Sequence, residues 1–295
     1  MKNNKLILGG AQIGNKYGIF TKDTKMKNKS ELREIFNFSI KNNINYIDTA
    51  HDYYNSENII GKLSKKKFLI ISKINVPKNF SNKKLEFIIY KKVQISLKRL
   101  DRKYMDVLLL HNFDDYLAND YYLAKIFRIF LNLKKEGLTK KIGISTYFPE
   151  KIHKHFNFFN FEIVQVPLNI FDQRLLKSKI YRLKKYKQIK IHVRSVFLQG
   201  ILLKKKYPKY FNKWRNKFDE FLNFIDQKKI DSINFCLKFV LNDKRINKVV
   251  VGFQNLEQLK EIFKNYNKRK VYKKNFYKNF EINDYNLIIP VKWKI

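Results

Sequence analysis

The stretch Asn45–Lys62 reads NYIDTAHDYYNSENIIGK. It opens like a strand, with Tyr46, Ile47 and the β-branched Thr49, and then breaks into polar and aromatic residues. A carboxylate, Asp48, stands where the apolar run stops, and Tyr53 follows it in the break. A charge at the end of an apolar strand is costly unless something there uses it.

Seven more short apolar runs share this form. They are KLILGG near Leu6, FLIIS from Phe68, DVLLLH from Asp106, KIGIS from Lys141, EIVQV from Glu162, KIHVRS from Lys190 and KVVVG from Lys248. Near-continuous apolar strands imply burial on both faces, as in a parallel sheet. Helical patterns fill the intervals. Leu85, Ile89, Val93, Leu97 and Leu100 make one apolar stripe within 81–100. Gly137 reads as a C-cap and Pro149 as a first-turn proline. Asn255 with Gln258 reads as a capping box. Eight strand–helix repeats in 295 residues predict a (β/α)₈ barrel, a TIM barrel, as one domain over 1–295, with 271–295 as an appended C-terminal segment. A doubly wound open sheet is the alternative.

Composition narrows the class. No window approaches the roughly 18 uninterrupted apolar residues of a membrane span, and no signal peptide is recognisable, so a cytoplasmic, non-membrane protein is expected. A single cysteine, Cys236, in a helical pattern excludes an internal disulfide framework and a multi-cysteine metal site. No metal site is expected. Lys plus Arg is 63 against 25 for Asp plus Glu, a net charge of +38. Such a balance attracts polyanions. The lysines, however, run through nearly every segment beside Asn, Ile, Phe and Tyr, which reads as compositional drift. No nucleic-acid motif appears, and no specific nucleic-acid partner is expected.

Barrel active sites lie at the carboxyl ends of the strands. The runs end in, or carry near their ends, Asp48, Lys73, His111, Ser145, Gln165, Arg194 with Ser195, and Gly252. Singly, each has a structural explanation. Together, Asp48 can hold Lys73, a nearby ammonium can lower the tyrosine pKa of Tyr53 from about 10, and His111 can orient a carbonyl. That set can deliver a proton to a developing alkoxide.

The stretch YIDTAHDYYNSENIIGK resembles the aldo/keto reductase signature. The resemblance continues in order through LIISKI, DVLLLH, KIGISTY, VQVPLN, RSVFLQGIL and VVVGFQNLEQLKEI. It implies a barrel that binds a nicotinamide cofactor without a Rossmann fold, and an oxidoreductase that transfers a hydride to an aldehyde or ketone. The family's catalytic tetrad falls on Asp48, Tyr53, Lys73 and His111, with Tyr53 as general acid. Tyr54 ranks below it. Ser145 and Gln165 match the carboxamide contacts, and Thr146 stands where many members have Asn. Arg194 matches the position packed on the nicotinamide ring. Ser195, Leu198 and Gly200 match the pyrophosphate loop.

Gly252, Gln254 and Gln258 fall at the adenosine-phosphate end, with Lys260 nearby and Ile262 where the family usually has Asn. The expectation is NADP(H), with NAD(H) as the alternative, and a small-molecule carbonyl as substrate. VPLNIFDQRL and VRSVFLQGILL resemble a bacterial branch tied to sugar and surface-polysaccharide metabolism, and carbohydrate metabolism is the implied setting. Two other readings stay open: a non-catalytic cofactor-binding sensor, and a nucleic-acid binder drawn by the positive charge.

Overall fold

A computed structural model of the chain describes residues 4–14, 18–19, 28–78, 80–157, 159–182 and 188–295. All eight expected runs form strands: β1 (Leu6–Gly9), β2 (Tyr46–Asp48), β3 (Leu69–Ile74), β4 (Val107–Leu110), β5 (Ile142–Ser145), β6 (Ile163–Pro167), β7 (Lys190–Arg194) and β8 (Ile246–Val251). They close in sequence order into a barrel whose pairings are all parallel, with β8 returning to β1. The fold is therefore the (β/α)₈ barrel, and the open-sheet alternative is set aside.

Both strand faces are apolar because both are covered. Ile7, Ile71, Val107, Leu109 and Ile163 fill the barrel interior, with Tyr46 and Val250 packed against them. Helices cover the outside. The stripe of the helix Asn82–Leu100 is buried, with Leu85, Ile89 and Val93 at 0% exposure. Burying each such side chain is worth roughly 1.5–3 kcal/mol.

Helix ends follow local chemistry. Asn28 and Asn119 accept from the backbone N–H groups of Glu31 and Tyr122 and so start the helices Lys29–Lys41 and Asp120–Lys135. The second helix stops at Gly137, whose φ of 77° suits glycine. There Leu138 N–H reaches the Leu133 carbonyl at 2.9 Å and Gly137 N–H the Lys134 carbonyl at 3.1 Å, a Schellman stop.

Two local expectations change. Pro149 sits at the second position of a turn closed by Lys151 N–H on the Phe148 carbonyl at 3.0 Å, and a 3₁₀ helix, Ile152–Asn157, follows instead of an α-helix. The Gln258 side chain, expected to close a capping box on Asn255, accepts instead from Gln254 N–H at 2.6 Å, while Asn255 Oδ1 accepts from Gln258 N–H at 2.9 Å. Cys236 is buried in the helix Ser232–Leu241. Among the described residues no helix is long and apolar enough to cross a membrane.

The chain after the helix Leu256–Asn267 packs over the carboxyl-end loops. Ile282 N–H bonds the Phe171 carbonyl at 2.8 Å, and Trp214 Nε1 donates to Asp284 at 3.1 Å. Short helices at Asn275–Lys278 and Tyr285–Ile288 lead to the turn Pro290–Lys292.

Candidate active site

The strand ends open onto one cavity of about 580 Å³. Asp48, Tyr53, His111, Ser145, Gln165, Arg194, Ser195, Gly200, Gly252, Gln254 and Gln258, all expected at the site, line it. Lys73 lies just beneath, 1% exposed, with its ammonium 2.5 Å from Asp48 Oδ1 and 2.7 Å from the Thr49 carbonyl oxygen. The second Asp48 oxygen accepts from Gln165 Nε2 at 2.6 Å. Asp48 thus joins β3 to β6 through the barrel interior, and its charge at the strand end is used.

The loop after β2 carries Tyr53. His51 N–H bonds the Lys73 carbonyl at 2.8 Å, Tyr53 N–H the Ala50 carbonyl at 3.1 Å, and Ser56 N–H the Tyr53 carbonyl at 2.9 Å. The Tyr53 ring meets the His111 ring edge-on, with centroids 5.7 Å apart and planes at 76°, and Lys73 Nζ lies 5.0 Å from the Tyr53 centroid. Tyr54 turns outward and is 76% exposed.

Protonation is set mainly by burial. Burial, then the Asp48 carboxylate, pushes the Tyr53 hydroxyl well above its ordinary value, with Arg194 pulling the other way. The lowered tyrosine pKa expected from Lys73 is therefore corrected: desolvation wins, and Tyr53 keeps its proton at neutral pH. Burial lowers Lys73, and Asp48 opposes that shift. Burial, with the charges of Lys73 and Arg194, takes His111 down to about 3, so its imidazole is neutral.

Two buried atoms of this set have no partner: His111 Nδ1 and Gln165 Oε1. Gln165 lines the cavity, and a free amide oxygen there fits the NH₂ group of a nicotinamide carboxamide. Arg194 lies with its guanidinium carbon 4.0 Å from the Tyr147 ring centroid and donates to the Thr146 carbonyl at 3.3 Å. The loop after β7 takes left-handed backbone at Ser195 (φ 59°), Leu198 (46°), Gln199 (54°) and Gly200 (92°). Leu198, expected at the cofactor, does not line the cavity. Its side chain is 0% exposed in the apolar core, because the tight loop turns it inward. At the far end, a Cβ on Gly252 would come 2.8 Å from Gln12 Oε1, so a larger residue does not fit without a shift. Ile262 lines the same end; Lys260 is not among the lining residues.

Several lining residues were missed from sequence. Asp114 accepts the Thr146 hydroxyl and, at 2.7 Å, Tyr147 N–H, which ties the loop after β4 to the loop after β5. Burial raises the Asp114 carboxyl. Its signal was its place three residues after His111. Tyr147, two residues after Ser145, had the same kind of signal. Gln12 and the C-terminal Ile289 and Lys292 come from segments placed near the site only as whole stretches, with no signal for the individual residues. The amino-end stretch GGAQIGNKYGI, residues 9–19, also resembles the family in sequence, and its residues 15–17 lie outside the described residues.

Comparison with known proteins agrees with the barrel fold. The family model described as "Aldo/keto reductase family" matches residues 5–282. A search of curated proteins finds no match. Among solved structures, the holo form of the aldo-keto reductase AKR11C1 from Bacillus halodurans is similar with a TM-score of 0.74 at 20% identity, over 94% of this chain and 90% of that one. The glycerol dehydrogenase AKR11B4 from Gluconobacter oxydans is similar with a TM-score of 0.69 at 19% identity, over 94% and 90%. At that identity the likeness to the solved structures is one of fold, while the family match spans nearly the whole chain. The chain belongs to the aldo/keto reductase family of oxidoreductases.

Proposed function

We propose that this protein is an NAD(P)H-dependent carbonyl reductase. The observation that carries this reading is the joining of Asp48, Tyr53 and His111 in one cavity, over buried Lys73, with the unpartnered amide oxygen of Gln165. A bound reduced nicotinamide supplies the hydride. Ser145 and Gln165 hold its carboxamide, Arg194 packs beside its ring, and the Ser195–Gly200 loop with Gly252, Gln254 and Gln258 receives the rest of the dinucleotide. His111, neutral, orients the carbonyl by a hydrogen bond. Tyr53, protonated, donates to the oxygen as negative charge grows there. Lys73 stabilises the tyrosinate that results, and Asp48 keeps Lys73 in place.

NADP(H) is the favoured cofactor on the family resemblance, and Lys204 and Lys292 in the cavity lining add positive charge for the phosphates of either dinucleotide. NAD(H) is the alternative. The substrate is a small aldehyde or ketone, and the rim of Asn75, Asn112, Asp114 and Asp115 suits a hydroxylated, sugar-type carbonyl. Residues 1–295 act as one barrel domain, with 271–295 contributing to the cavity mouth. Oxidation of NADPH and of NADH with hydroxylated and plain aldehydes tests this. Turnover faster with NADPH is expected. Tight binding of either cofactor without turnover of any aldehyde would overturn the enzyme assignment.

A further inference from the structure

Side chains alternate between the two faces of a strand. Ser145 on β5, Arg194 on β7 and Val250 on β8 line the carboxyl-end cavity. Residues an even number of places earlier therefore face the same barrel interior. These are Lys141, just before β5; Lys190 and His192 on β7; and Lys248 on β8. His192 pairs directly with Lys248 across the strands. Three lysines thus converge on one histidine at the amino-terminal mouth, the end opposite the active site.

Their charges reach one another. Lys190 acts on Lys141 through its charge, and it acts on Lys248 as well. All three act on His192. Converging like charges are unfavourable, the more so where burial removes water. Glu162 attracts Lys141 and offsets part of this repulsion, but the carboxylates near this end also have other partners. Glu162 pairs with Lys134 at 2.7 Å, Asp106 accepts Ile70 N–H at 2.9 Å and faces Lys140 at 3.4 Å, and Asp243 pairs with Arg245 at 2.6 Å. Lys248 is fixed by a 2.6 Å bond to the Asn4 carbonyl and by the Tyr46 ring at 4.8 Å.

A second, independent feature lies beneath the lysines. His192 is 3% exposed, and its Nδ1 has no hydrogen-bond partner. Buried polar atoms are ordinarily paired. Converging positive charge and an orphaned ring nitrogen share one remedy, an anion carrying several acceptor oxygens.

We infer that the amino-terminal mouth of the barrel binds a small phosphate-type oxyanion. Lys141 and Lys190 clamp it, Lys248 adds charge from the side, and His192 donates from Nδ1 below. The recess of His192 selects a free anion over a phosphate carried on a lipid surface.

The test follows the imidazole signals of His192, one of five histidines, by NMR on the full chain. Sodium phosphate is titrated at constant ionic strength against sodium chloride. A saturable movement of the His192 signals is expected, with affinity at least tenfold weaker in the double variant K141Q/K190Q. Its melting temperature in chloride should equal or exceed that of the wild type, because repulsion is relieved. Four results would overturn the inference: unmoved His192 signals, equal affinity in the variant, the same movement with chloride, or a variant that melts lower in chloride. Sedimentation with phosphatidylglycerol vesicles separates the two sources. Equal sedimentation of wild type and variant is expected, and loss in the variant alone would overturn the assignment to a free anion.

Discussion

Asp48→Asn removes one negative charge from the base of the site and leaves its shape intact. In the wild type the Lys73 ammonium and the Asp48 carboxylate are 1% and 7% exposed and 2.5 Å apart. Without the carboxylate, Lys73 keeps neutral acceptors, such as the Thr49 carbonyl at 2.7 Å, while Arg194 still repels it. Breaking a buried pair from one side costs about 3–5 kcal/mol. The lower figure applies, because the new amide oxygen still accepts and Lys73 can shed its proton. With an unfolding entropy near 2.1 cal/mol/K per residue, a cost of ~3 kcal/mol in a chain of 295 residues lowers the melting temperature by about 5 °C. The amide nitrogen at position 48 would also face Gln165 Nε2, a second donor, now 2.6 Å from Asp48 Oδ2. The Gln165 amide turns over to resolve this and puts an NH₂ where the cofactor carboxamide needs an acceptor. Calorimetry should therefore show the drop of about 5 °C. Steady-state kinetics should show a weaker cofactor KM and a kcat lower by roughly 10²-fold, the lower end of what proton transfer contributes. A variant that melts within about 1 °C of wild type with unchanged kcat would refute the dependence of Lys73 on Asp48.

Burial holds the imidazoles of His111 and His192 down to about 3. Their folded values lie below the unfolded value of about 6.5, so the unfolded chain binds more protons between the two, and the stability they contribute above that value is lost as pH falls. At about 1.4 kcal/mol per pH unit, each costs roughly 2 kcal/mol by pH 5, partly offset by Glu57 and Asp114, whose carboxyls burial raises. The melting temperature should fall from pH 7 to pH 5, and less so in His192→Gln; a flat profile in the wild type would contradict the burial of both rings. Arg99 Nη1 donates to the His51 carbonyl at 3.0 Å and lies 3.7 Å from buried Glu57, so it braces the Tyr53 loop from outside the barrel. Arg99→Met should lower kcat severalfold and cost about 1–3 kcal/mol of stability, while cofactor Kd stays constant; a parallel rise in Kd would show that the brace is not confined to that loop. Cys236, 0% exposed with its thiol pushed up by burial, should resist alkylation until the chain unfolds, as mass spectrometry across a denaturant series would report.

The barrel was legible because its strands are buried on both faces, and an unbroken apolar run such as VLLL in β4 signals that burial directly. Site residues were legible where a polar group ends such a run, as Asp48 and Arg194 do. Asp114 and Tyr147 were not, since their roles come from a contact between two loops that no local pattern encodes. The inward turn of the Leu198 side chain was not legible, because residue order does not reveal which way a left-handed backbone turns a side chain. The direction of the Tyr53 shift was misjudged because a neighbour's charge can be guessed from sequence, whereas the depth of burial that outweighs it cannot.

The most direct test is turnover by Tyr53→Phe, measured as NADPH oxidation with a reactive aldehyde, alongside cofactor Kd by fluorescence. The substitution removes one oxygen and leaves the ring packed on His111. Turnover should be abolished while Kd stays nearly the same. Turnover at the wild-type rate would take the proton-donor role away from Tyr53 and with it the proposed reductase mechanism.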